Sequence, residues 1–124
     1  MTKYEVKDKL NEYSLANIEC EILKKRIERL TANKVVDGLI TERLESLTEE
    51  YKQAVLKADL SLAKVLEMIN KLSNLDHDAD VLKKYHIDGI SEKQIARQLH
   101  LSSEYIKTKR WRAYEKLAKI LEKS

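Results

Sequence analysis

The 124-residue chain contains no proline, only two glycines (Gly38 and Gly89), one cysteine and one tryptophan. Without proline, no residue lacks the backbone donor that a long helix needs. Alanine, leucine, glutamate and lysine fill the space, and such a composition does not favour strands. The lone Cys20 has no partner for an intramolecular disulfide, and with no Cys or His neighbour at ligand spacing it does not build a zinc site. It is expected to be a packed apolar residue in a reducing compartment. No apolar run approaches the roughly 18 residues of a membrane span. The first thirty residues carry Glu5, Asp8 and Glu12 instead of an unbroken apolar stretch, which argues against a secretory leader. The expectation is a soluble cytoplasmic chain with no membrane partner. With 43% hydrophobic against 36% charged residues it has enough apolar surface to fold. The fold class expected is all-α.

The formal net charge of +3 is unevenly distributed. Residues 1–75 hold thirteen Lys and Arg against thirteen Asp and Glu, whereas residues 76–124 hold eleven against eight. Between Ser103 and Lys119, six basic side chains face only Glu104 and Glu115. Such an asymmetry points to an anionic partner at the C-terminal end, although a lysine-rich helix face is as often merely solvated.

Residues 1–73 read as a helical hairpin or coiled-coil-like region serving oligomerisation or partner binding. Val6, Leu10, Tyr13, Ala16, Cys20, Leu23, Ile27 and Leu30 step by three and four, the period of an amphipathic helix from about Lys3 to Thr31. Leu15, Ile18 and Ile22 widen the stripe, so this helix is expected to meet more than one neighbour. Ala32–Asn33–Lys34 and Asp37–Gly38 supply turn residues. A second period runs through Leu44, Leu47, Tyr51, Val55, Ala58, Leu62, Val65, Ile69 and Leu72, with heptad spacing over four repeats. This stripe has to be buried, either in an antiparallel hairpin within the chain or in a homodimer seam between the N-terminal helices of two chains.

Residues 74–124 read as a separate helix-turn-helix domain. Ser73–Asn74 punctuates the chain, and Asp76, Asp78 and Asp80 crowd the next helix start, where carboxylates favour the helix dipole. That helix carries Leu75, Ala79, Leu82 and Tyr85 and ends near Asp88–Gly89, where Gly89 can take a positive φ. Ser91-Glu-Lys-Gln94 fits a capping box. It opens a very short helix with Ile95, Ala96 and Leu99. His100–Leu101 makes the turn, and Ser102 or Ser103 caps a last helix to about Leu121. Ala96 is small where two helices cross, Leu99, Leu101 and Ile106 fill the wedge between them, and Ile95 is expected against Leu82 and Tyr85.

Val81-Leu-Lys-Lys-Tyr85, Gly89-Ile-Ser91, Gln94-Ile-Ala96, Leu99-His-Leu-Ser102, Ile106 and Ala113…Leu117 resemble region 4 of bacterial sigma factors over residues 76–121. The layout of the whole chain is similar to the ArpU/RinA-like late transcription regulators of bacteriophages infecting Gram-positive bacteria. The resemblance implies a regulator that binds double-stranded DNA at a promoter in a bacterial host cell, and RNA polymerase as a second partner. It also implies that Ser103, Glu104, Lys107 and Thr108 meet the DNA. Two residues depart from the pattern: His100 stands where glycine is usual, and Trp111-Arg112 is bulkier than usual.

Helical geometry leads to a similar surface. With Ile106 turned inward, Ser103, Glu104, Lys107, Thr108 and Trp111 face a major groove, with Ser102 at the helix mouth. Glu104 can accept from cytosine N4, and Lys107 can donate to guanine or to a phosphate. Thr108 can touch a thymine methyl, while Lys109, Arg110 and Arg112 suit flanking phosphates. Glu104 has a competing role at the dipole of its own helix, and Trp111 in packing against the N-terminal half. No phosphate loop, paired catalytic carboxylates, Cys/His constellation or metal cluster is legible, so neither an enzyme nor a cofactor is expected. Two alternatives stay open: a DNA-recognising phage assembly subunit resembling a small terminase, and a helix-turn-helix that binds only protein.

Overall fold

The computed structural model describes residues 1–32, 38–72 and 77–122 (for residues 38 and 39, the backbone alone). The described residues form helices α1 (Lys3–Ala32), α2 (Gly38–Ile69), α3 (Asp78–His86), α4 (Glu92–Leu99) and α5 (Ser103–Glu122), with no strand among them. Of the expected turn residues, Ala32 instead ends α1 and Gly38 begins α2, while Asn33, Lys34, Asp37, Ser73 and Asn74 lie outside the described residues.

The stripe of α1 is buried as its period predicts, with Val6, Leu10, Ala16, Cys20 and Leu23 all inward. Helix α2 begins at Gly38, six residues ahead of its apolar stripe. Ile40 to Arg43 sit on the exposed or half-buried end of the helix, so no periodic signal marks them. Leu72 lies beyond the last helical residue and is still buried, because tight turns carry the chain past Ile69: Lys71 N–H donates to Met68 O and Leu72 N–H to Ile69 O.

The two long helices pack side by side and antiparallel. Ala16, Cys20 and Leu23 of α1 meet Leu47, Ala54 and Ala58 of α2. The small side chains allow close approach, and burial raises the Cys20 thiol above its ordinary pKa. The periodic stripe of α2 is therefore covered within the chain, the hairpin arrangement of the two that its period allows.

A second core crosses the expected division at 73/74. Val6 and Leu10 from the start of α1 and Val65, Ile69 and Leu72 from the end of α2 pack with Ala79 and Leu82 of α3 and with Ala113, Tyr114, Leu117 and Ala118 of α5. Each fully buried Leu or Ile contributes roughly 1.5–3 kcal/mol, so this contact fastens the long helices to α3 and α5. A Lys3–Glu115 ion pair at 3.2 Å closes its solvent edge.

Candidate nucleic-acid interface

The C-terminal three helices are held by local chemistry that the sequence spells out. Helix α3 ends at His86, and Gly89 follows at φ +68, letting Ile90 N–H turn back to Lys84 O at 3.0 Å. The Ser91 box is formed: Ser91 Oγ accepts from Gln94 N–H, and Gln94 Oε1 accepts from Ser91 N–H, both at 3.3 Å. After α4, His100 takes φ 57, ψ 43 in the left-handed region, and its N–H reaches back toward Ala96 and Arg97 carbonyls. Ser102 Oγ then accepts from Tyr105 N–H at 3.1 Å and starts α5.

A small core of Val81, Ile95, Ala96 and Ile106, flanked by Tyr85, Ile90 and Leu99, sets α4 against α3 and α5. Two expectations change here. Ile95 shares its cluster with Val81 where Leu82 was expected, because Leu82 faces α1 and α5. Leu101 is 40% exposed and does not fill the wedge, since the left-handed turn at His100 swings it outward.

The nine candidate side chains divide into two groups. Ser102, Glu104, Lys107, Thr108 and Arg112 are exposed, and Ser103 is half-buried. Glu104, Thr108 and Arg112 follow at intervals of four and so share one face. The Thr108 hydroxyl also donates to Glu104 O at 3.0 Å.

Arg110 and Lys109 are placed differently from expectation, and Trp111 takes the packing one of its two expected roles. Arg110 is 6% exposed and cannot reach a phosphate. Its guanidinium lies 4.2 Å from the centre of the Tyr85 ring, with Nη1 donating to Tyr114 Oη at 3.0 Å and Nη2 to Glu92 at 3.1 Å. Burial opposes its charge, but the Tyr114 hydrogen bond and the nearby Tyr85 and Glu92 hold its pKa above the ordinary value. The spacing explains this: Ile106, Arg110, Ala113, Tyr114 and Leu117 form one inward stripe. Lys109 and Lys116 both reach the buried carboxylate of Asp78, at 3.2 and 2.6 Å. Asp78 is thus an internal counter-ion as well as a helix-start residue. Trp111 packs edge-on to Tyr4 and Tyr114, with Lys3 and Lys7 of α1 over its ring, which is the packing role open to it from the sequence.

Beside Arg110 sits His86, 3% exposed, whose Nε2 is 2.6 Å from Tyr114 Oη. The guanidinium can only donate, so the Tyr114 oxygen accepts from it while sharing a second hydrogen bond with His86 Nε2. The other ring nitrogen, Nδ1, has no hydrogen-bond partner among the described residues. Burial first, then the charges of Arg110 and Lys7, lower the His86 pKa from 6.5 to about 4. Burial raises Tyr114 to about 12. The buried network thus stays fixed in charge around neutral pH and locks α5 onto α3 and α4.

No family model, curated protein or solved structure matches this chain. The site is therefore read from its own geometry. Sequence reasoning missed Tyr105, 46% exposed on the first turn of α5 with Lys109 Nζ 5.6 Å from its ring centre. On the neighbouring helix α4, Lys93 and Arg97 are exposed. Among the described residues, no cluster of three His, Cys, Asp or Glu side chains could hold a metal, and no helix is long and apolar enough to cross a membrane.

Proposed function

We propose that this chain is a sequence-specific double-stranded-DNA-binding transcription regulator: α4, the His100 turn and α5 act as a helix-turn-helix, and α1 and α2 are its helical support. The observation carrying the reading is the junction itself. A short capped helix, a left-handed turn and a long helix present Glu104, Lys107, Thr108 and Arg112 outward while Arg110 anchors the same helix inward. Exposed side chains on the first two turns of a rigidly held helix are what a major groove requires, because base readout fails if the helix rocks. Lys107 and Arg112 supply cations, and Glu104 and Thr108 supply base-edge partners. Lys93 and Arg97 of α4 add positive charge where the first helix of such a pair crosses the backbone. The resemblance to sigma region 4 and to the phage late regulators agrees with this assignment.

The test is selection of duplexes from a random pool by the full chain, followed by anisotropy titration of a selected and a scrambled duplex at several salt concentrations. We expect preference for the selected sequence and a steep log–log salt slope. Arg112→Ala should weaken both duplexes alike and lessen the slope by about 0.9. Glu104→Ala and Lys107→Ala should alter preference by about 1–3 kcal/mol per contacted pair. A chain that selects no consensus and binds with no salt dependence would show the reading to be wrong.

A further inference from the structure

The stripe of α2 is covered by α1, yet α1 has a second apolar stripe that no described residue covers. Leu15, Ile18 and Ile22 are 65%, 53% and 48% exposed. They form one wall of an open groove whose opposite wall is the charged side of α2. Their spacing continues in both directions: Asp8 and Asn11 precede them and Lys25 and Arg29 follow, all at steps of three and four. These seven positions make a heptad seam of about 30 Å along the outer face of one helix. Three large aliphatic side chains in a row, bounded by charge, mark a helix-docking face.

The ends of the seam indicate the occupant. Its beginning carries Asp8 and its end carries Lys25 and Arg29, all exposed. A second copy laid antiparallel brings the acidic end of each helix to the basic end of the other, with the aliphatic residues meeting in the middle. A parallel copy would set Asp8 against Asp8 and Arg29 against Arg29, so the charge order disfavours it. We infer that the chain forms a two-fold homodimer in which α1 packs antiparallel against α1 of a second copy along the 8–29 seam. A two-fold axis requires each patch to complement itself, and a stripe running from acid through aliphatic to base does so. The association is independent of nucleic acid, so it stands or falls apart from the DNA reading.

Sedimentation equilibrium of the full chain without DNA tests this, with circular dichroism to check folding. We expect a mass near twice 14.5 kDa. Ile18→Asp and, separately, Leu15→Lys should give monomers of unchanged helicity, since both side chains are already in solvent. Asp8→Arg and Arg29→Asp should each weaken association about tenfold, and the double exchange Asp8→Arg/Arg29→Asp should restore it. A monomer at every concentration, or a ring larger than a dimer, would overturn the inference. So would a dimer indifferent to Ile18→Asp, or one whose charge exchange is not restored.

Discussion

Acidification should expose the cost of keeping His86 neutral. In the folded chain its pKa is about 4, against 6.5 for an open histidine. The groups around it are Tyr85 on its own helix, Arg110 and Tyr114 on α5 and Lys7 on α1; the carboxylate that lines the same cavity, Glu92 on α4, is paired with Arg110. Above pH 6.5 neither the folded nor the unfolded chain binds this proton, and His86 does not penalise folding. As the pH falls below 6.5 the unfolded chain takes the proton first, so stability drops by up to about 1.4 kcal/mol per pH unit until about pH 4. The total is about 3 kcal/mol, a large share of the stability of a small domain. Urea unfolding at pH 7 and pH 4.5 on the wild type and His86→Leu isolates the effect from the carboxylates. At pH 7 the variant should be less stable by about 1 kcal/mol, having lost the Tyr114 hydrogen bond. At pH 4.5 the order should reverse, because leucine binds no proton. Parallel pH profiles for the two proteins would refute the argument.

Three further outcomes are expected. Asp78→Asn should lower stability by about 2 kcal/mol in urea unfolding, because Lys109 and Lys116 lose their shared carboxylate. His100→Gly should raise stability by up to about 1 kcal/mol, since glycine accepts the left-handed turn at less cost. Leu10→Ala should cost about 2–5 kcal/mol and loosen α1 and α5 together, which hydrogen exchange can follow in both helices.

Local chemistry was legible in the sequence and distant pairing was not. The capping box, the Gly89 and His100 backbone conformations and the stripe of α1 depend on residues a few positions apart, so their spacing states them. Arg110 was misplaced because its charge was weighed above its position: it lies four residues from both Ile106 and Tyr114, squarely on the buried stripe. Its partners Tyr85 and Glu92 belong to other helices and could not be paired by periodicity. Asp78 was half legible, since its place at a helix start is local but Lys109 and Lys116 are far along the chain. Leu15, Ile18 and Ile22 called for a second neighbour to α1, and the fold leaves that face open.

Trp111 is the only tryptophan, and its position has an optical consequence. Its indole sits between α5 and the first turns of α1, touched by Tyr4 and by the Lys3 and Lys7 ammonium groups. Intrinsic emission therefore reports one junction of the molecule, the contact between the first helix and the last. If α1 lifts from α5 while the shorter helices stay folded, the emission should shift to the red while far-ultraviolet circular dichroism barely changes. The chain thus carries its own gauge of whether its two ends are joined.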